Sequence, residues 1–268
     1  MDTLPWKPHQ AERNQFVRFR TAYTFYRFID FPRERHLKIL DFGCGEGHSI
    51  DALLDVFPNA RFVGADINAW QLSTFMAHFG NHPRVTVVQM TSPLATESIG
   101  YDFDIVQLNA LFEHLLPDER KKLMPDLWRR LRVNGYFVVT ETPWRWFPIE
   151  THTTSLPLVN YMPDRLALAA ARHCGRYSIA LTWSEALRMG LRGATVTEII
   201  SSLGAPQAAI QRVQSSEADA RDMLEVWWQG ESRRTRQKTF AYWSLRWLQR
   251  ATGIVISPWV NFVVRKAA

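Results

Sequence analysis

The sequence predicts an α/β protein: a mostly parallel sheet with helices on both faces. Three observations carry this. Short apolar runs at 37–42, 61–66, 85–90, 103–108 and 136–141 read as strands. Segments of helical periodicity separate most of them, and alternating strands and helices build a parallel sheet covered on both sides. Finally, Ile39-Leu40-Asp41-Phe42 runs into Gly43-Cys44-Gly45-Glu46-Gly47 and then a helix. Strand, glycine loop, helix is the layout of a nucleotide-type site at a strand's carboxyl end.

The 268 residues suit one large domain with additions, and 46% hydrophobic content supports a sizeable core. Met1–Gln10 lacks the apolar core of a signal peptide. No run approaches the roughly 18 apolar residues of a membrane span. Cys44 and Cys174 have no ligand-like spacing, so a reducing, cytoplasmic setting without disulfides is expected. A net charge of +6 and 11 tryptophans are compatible with nucleic acid, anionic lipid or an acidic small substrate, and equally with plain solubility.

The first strand ends in the loop, and Ser49–Phe57 follows as a helix with Ile50, Leu53, Leu54 and Phe57 at helical spacing. A dinucleotide fingerprint needs G-x-G-x-x-G. Its third glycine position is His48 here, and the glycines fall instead at 43, 45 and 47. Asp41 with these glycines resembles the first motif of the class I S-adenosylmethionine-dependent methyltransferases. The string Phe103-Asp104-Ile105-Val106-Gln107-Leu108-Asn109-Ala110-Leu111-Phe112-Glu113-His114-Leu115 resembles that family's fourth-strand segment. The resemblance covers residues 37–142 well and the rest loosely. It implies a Rossmann-like, seven-stranded, mostly parallel sheet and S-adenosyl-L-methionine as cofactor. It also implies that the loop passes under the methionine part of the cofactor while Asp41 orients its amino end.

Before the loop, residues 10–36 place Phe16, Phe19, Tyr23 and Tyr26 on one helical face, either packed over the domain or forming a lid. Residues 1–36 are thus expected to be a helical cap and 37–268 the methyltransferase domain, with the substrate loop and helical additions inside 142–250. After the loop, Arg61–Asp66 is the second strand, and Asp66 stands about 20 residues past the glycines, where a carboxylate accepts the ribose hydroxyls. Its alternative role is the N-cap of a helix over 67–79. Ile67 is expected beside the adenine. Val85–Met90 is the third strand. Many family members carry an acid after it, whereas Gln89-Met90-Thr91-Ser92 has none, leaving Thr91 or nearby backbone for the adenine contact. Asn109 and Ala110, after the fourth strand, are expected beside the sulfonium. Residues 117–131 form a helix ended by Asn134-Gly135, and Tyr136–Glu141 is the fifth strand.

The loop 142–157 is too long and chemically varied for a plain connector. It resembles a T-P-x-R-x-x-P-x-x-x-H loop of some bacterial family members and is expected to hold the acceptor, with its aromatics, Arg145, Glu150 and His152 facing one crevice. His152 is the first candidate for general base and His114 the second. His114 and Glu113 have a bland alternative, bracing the loop. The metal pattern Glu-x-x-Glu-His lacks its first acid at Ala110, and no metal is assigned.

Further helices or short strands are read at 163–173, 184–191 and 195–203, and a helix-forming segment at 217–251. In the latter, Phe240, Trp243, Trp247, Leu248 and Ala251 share an apolar face, to be packed on the domain or laid on a membrane surface over 227–251. Trp259–Arg265 closes the sheet, in the family as part of an antiparallel hairpin. The expected function is O-methylation of a small molecule, glycan or lipid-linked acceptor. The competing classes are a nonenzymatic binding protein at a membrane and, less favoured for want of any RNA-binding motif, an RNA methyltransferase. Nucleic acid is not an expected partner, and the oligomeric state is unassigned.

Overall fold

The computed structural model describes residues 13–174, 180–213, 224, 228, 234–253 and 257–268. Its sheet has seven strands: β1 (Lys38–Phe42), β2 (Arg61–Asp66), β3 (Val85–Gln89), β4 (Phe103–Asn109), β5 (Leu131–Pro143), β6 (Ile210–Arg212) and β7 (Trp259–Lys266). Their order is β3-β2-β1-β4-β5-β7-β6. The first five run parallel, and β7 lies antiparallel between β5 and β6. The chain steps outward from β1 through β2 to β3, then returns to β1's other side with β4. That reversal opens a crevice at the carboxyl ends of β1 and β4.

The described α-helices are α1 (Arg13–Phe28), α2 (His48–Val56), α3 (Ala69–Phe79), α4 (Pro117–Arg130), α5 (Asp164–His173), α6 (Trp183–Arg188), α7 (Val196–Ser202) and α8 (Arg236–Thr252). Alternation along the strands sorts side chains onto two faces. Ile39, Ile105, Tyr136 and Val138 join one core with Phe25 of α1, Ile50 and Leu53 of α2 and Phe75 of α3. Leu40, Val106, Leu108, Phe137 and Val139 join the other with Leu123 and Leu127 of α4 and Ile199 of α7. The central strands are buried on both sides, which is why they read as near-continuous apolar runs. A third, small core of Val159, Ala167, Ala171, Leu181, Ala186 and Leu191 belongs to the insertion after β5.

Several expectations need correction. In α1 Tyr23 and Tyr26 pack half-buried against the core, as read, but the fully buried positions are Ala22, Phe25 and Phe28. The side chains of Phe16 and Phe19 lie outside the described residues. The helix packs on α2, where Arg18 pairs with Asp51 and with Asp55. Helix α4 stops at Arg130, and Asn134, at φ 62°, shifts the register inside β5 rather than ending a helix. β6 was not read from the sequence. Three residues are too few to show an alternating pattern. Nor is β6–β7 a hairpin, because α8 lies between them in the chain. Helix α8 spans Arg236–Thr252; of 217–233 only Leu224 and Trp228 are described, both helical, and the rest lies outside the described residues. Its packed side carries Tyr242 and Gln249, whereas Phe240, Trp243 and Trp247 are 75%, 54% and 69% exposed. The apolar face therefore points outward and does not pack on the domain. No described helix is long and apolar enough to cross a membrane.

Candidate active site at the carboxyl edge of the sheet

Gly43, Gly45 and Gly47 all have positive φ, at 79°, 52° and 87°. At Gly47 the conformation is also sterically required: a Cβ there would stand 2.7 Å from the Phe75 ring. The loop is tied to β2 by backbone bonds. Gly43 and Cys44 both donate to the Ala65 carbonyl, at 2.7 and 3.2 Å. Asp66 Oδ2 accepts from the Gly45 N–H at 2.8 Å, and Oδ1 accepts from Asn68 N–H at 2.8 Å. The N-cap of α3 is Asn68, whose side chain accepts from Trp70 and Gln71, so the capping role expected of Asp66 belongs two residues on.

Asp41 is 1% exposed, and neither carboxylate oxygen has a hydrogen-bond partner. Burial, reinforced by the nearby Asp66 charge, raises its pKa to about 7. Asn109 is clamped from both ends: its amide donates to Ser49 Oγ at 2.9 Å and its oxygen accepts from Thr140 Oγ1 at 2.9 Å. Ala110 follows in the left-handed region at φ 48°. Ile67 is 47% exposed and Thr91 is exposed. These residues lie on or just beyond the carboxyl ends of β1, β2, β3 and β4, as their sequence positions require.

The two candidate histidines meet. Their ring centroids are 5.1 Å apart, with planes tilted by 58°. His114 Nδ1 lies 2.7 Å from the Arg188 carbonyl, which only accepts, so Nδ1 carries the proton and Nε2 keeps its lone pair. Burial lowers the pKa of both rings. Glu113 is fully buried, accepts from Thr142 Oγ1 at 3.0 Å through Oε2, and has its pKa raised to about 8 by burial.

The acceptor loop is not uniformly directed at a crevice. Glu150 is 1% exposed and turns inward, accepting from the N–H groups of His152, Thr153 and Thr154. It shapes the turn that presents His152. Phe147 is buried, whereas Trp146 is 56% exposed. Arg145 is half-buried; its backbone N–H donates to the Ala194 carbonyl at 3.0 Å, while its guanidinium has no hydrogen bond or ion pair among the described residues. Burial first, and then the Arg145 charge, lower the pKa of Arg120 and Arg192. Two features escaped the sequence reading. Arg20 of α1 reaches Glu141 at the end of β5, at 2.8 Å. Gly190 supplies space beside His152, over 35 residues away in the chain. Neither pairing has a local sequence signal.

Residues 39–135 match the family model described as "Methyltransferase domain". Among curated proteins, a trans-aconitate 2-methyltransferase of Deinococcus radiodurans is 27% identical over 136 residues, 51% of this chain and 49% of that protein. A trans-aconitate 2-methyltransferase of Acidovorax ebreus is 36% identical over 61 residues, 23% of each chain. The chain spans about half the length, or less, of the curated relatives it matches. Among solved structures, phosphoethanolamine N-methyltransferase 2 of Haemonchus contortus, in complex with S-adenosyl-L-methionine, has a TM-score of 0.54 at 14% identity, covering 93% of this chain and 53% of that one. The cyclase SpnF has a TM-score of 0.55 at 13% identity, covering 97% and 85%. These two share the fold. One is named a methyltransferase and the other a cyclase, so function must be argued from the site.

The buried acids set a pH dependence. With its pKa raised from 3.8 to about 7, Asp41 holds a proton in the folded state that the unfolded chain has released. Folding stability therefore falls as pH rises from about 4 to about 7, and Glu113 adds a similar loss up to about 8. Asp41→Asn should raise the stability of the ligand-free protein at pH 8, by on the order of a few kcal/mol, and change it far less at pH 4. Urea unfolding at the two pH values measures this. Equal destabilisation at both would contradict it.

Proposed function

We propose, from the methyltransferase-type domain carried by residues 39–135, that the chain binds S-adenosyl-L-methionine in the crevice and methylates an oxygen of a small acidic acceptor. The observation that carries the cofactor is Asp41: a buried carboxylate with no hydrogen-bond partner, beneath a loop of three left-handed glycines. Such a group is costly unless a cation or donor faces it, and the amino end of this cofactor is a cation. When bound, the cofactor supplies an electrophilic methyl on sulfur, whose leaving thioether needs no acid. On this reading Asp66 keeps its bonds to Gly45 and Asn68 and offers remaining lone pairs to the ribose. Ile67 and Thr91 flank the adenine, and Asn109 and Ala110 stand by the reacting carbon. Alignment then does most of the catalytic work.

The acceptor class rests on Arg145, whose half-buried guanidinium has no described partner in the expected acceptor loop. A carboxylate fills that place well. The curated relatives are named for an acid acceptor as well. Glycan and lipid-linked acceptors offer less to an unpaired arginine. His114 and His152, whose pKa values are lowered chiefly by desolvation, offer ring lone pairs for the acceptor's proton where the acceptor oxygen is a hydroxyl, and a carboxylate oxygen needs no base.

A second reading concerns α8. Phe240, Trp243 and Trp247 face outward beside Arg246 and Arg250, a composition suited to a membrane surface. It is compatible with methyl transfer and equally with a nonenzymatic role.

Titration calorimetry with S-adenosylhomocysteine should show binding by the wild type, weakened at least about tenfold by Asp41→Asn and by Gly45→Val; a silent wild-type titration would remove the reading. With trans-aconitate as probe acceptor, Arg145→Ala should raise KM about 10- to 100-fold, the value of a lost charge-assisted hydrogen bond. For α8, flotation with vesicles containing anionic lipid should recover the protein, and Trp243→Ser with Trp247→Ser should abolish recovery. Recovery unchanged by that pair would refute the membrane contact.

A further inference from the structure

We propose that Glu113, His114 and His152 form a divalent transition-metal site at the mouth of the crevice. Their donor atoms, one from each residue, lie within 4.8 Å of one another. Two imidazole nitrogens and one carboxylate oxygen suit Zn²⁺, Mn²⁺ or Fe²⁺. Three protein ligands leave coordination positions for water or substrate, the pattern of catalytic rather than structural metals.

The surroundings fit ligands more closely than a plain polar cluster. Each metal ligand is normally oriented by a hydrogen bond from its other polar atom. His114 has this: Nδ1–H donates to the Arg188 carbonyl, leaving Nε2 free. Glu113 has it too: Oε2 accepts from Thr142, while Oε1 is fully buried, has no hydrogen-bond partner, and lies 3.9 Å from His114 Nε2. That distance is too long for a hydrogen bond but close to the separation of about 3.4 Å between two ligands of a tetrahedral ion. His152 comes from the far loop, held in place because Glu150 organises the turn. The backbone also makes room. A Cβ at Gly190 would stand 2.4 Å from the His152 ring and 3.2 Å from Glu113 Cγ. Gly190 thus permits the approach of two of the three ligands.

The metal's use rests on the proposed methyl transfer: an ion there would take up the histidine lone pairs and replace the general base, holding an acceptor oxygen and lowering the pKa of a hydroxyl, as bound metals do for water. The ion's presence does not rest on that reading. The test is therefore of binding. Protein stripped with chelator is titrated with Co²⁺, a coloured substitute for Zn²⁺. A visible absorption band saturating at one ion per chain is expected. His152→Ala and Glu113→Gln should each weaken binding at least about tenfold, while His173→Ala, at an exposed histidine outside the cluster, should not. Circular dichroism confirms that each variant is folded; His152→Ala, on the surface, remains the deciding variant if Glu113→Gln fails to fold. No saturable band in the wild type, or undiminished binding by His152→Ala, overturns the site. Wild-type S-adenosylhomocysteine binding, measured in parallel, reports separately on the methyltransferase reading.

Discussion

The site depends on how the chain leaves β1. The strand ends in the buried interior, and the backbone must turn within five residues to start α2. It does so through three left-handed glycines: the N–H groups of Gly43 and Gly45 are anchored on the neighbouring strand, at the Ala65 carbonyl and the Asp66 carboxylate, and that of Gly47 closes the turn on the Cys44 carbonyl. Asp66 therefore belongs to the architecture of the loop as well as to the candidate ribose site. Removing its carboxylate would release Gly45 N–H and Asn68 N–H together. A loss of ligand binding on substitution would then combine contact and loop order, which is why Asp41 is the sharper probe.

Around that turn the molecule keeps several ionisable groups in unfavourable places. Asp41 and Glu113 are buried acids with unsatisfied oxygens, and burial pushes both pKa values to near neutrality or above. Arg145 is a cation without a described partner. By contrast, Glu150 is equally buried and fully engaged by backbone N–H groups. The same residue type thus has two physical states here: Glu150 stabilises a turn, whereas Glu113 and Asp41 leave capacity for something else. Unsatisfied polar groups gathered at one sheet edge mark a site more specifically than the shared fold does.

Much of this was legible in the sequence, for identifiable reasons. β1, β2 and β4 are buried on both faces and show as dense apolar runs, and the glycine spacing at 43, 45 and 47 is a local pattern. The carboxyl-edge positions of Asp66, Asn109 and Ala110 follow from strand boundaries alone. What escaped depends on distance in the chain. The proximity of His114 to His152, the space at Gly190 and the Arg20–Glu141 pair join segments dozens of residues apart. β6 is three residues long. The inward turn of Glu150 was misjudged because a charged residue in a polar loop gives no sign of whether its own backbone will claim it. Whether the apolar face of α8 packs on the domain or points outward was left open because its periodicity is the same whether it meets protein or solvent.

The order β5-β7-β6 has a consequence for how the protein folds. β7 fills an interior place in the sheet, yet it pairs with β5 across more than 120 residues of chain, from Tyr136 to Arg265. Contacts so distant in sequence close slowly, because their loop entropy is lost before any pairing rewards it. Until β7 docks, β5 presents an open ladder of backbone donors and acceptors to any strand that comes near. The half of the sheet around the glycine loop is assembled from nearby segments, while the far half waits on residues 259–266. Aggregation during refolding should therefore begin at β5, on the side away from the crevice.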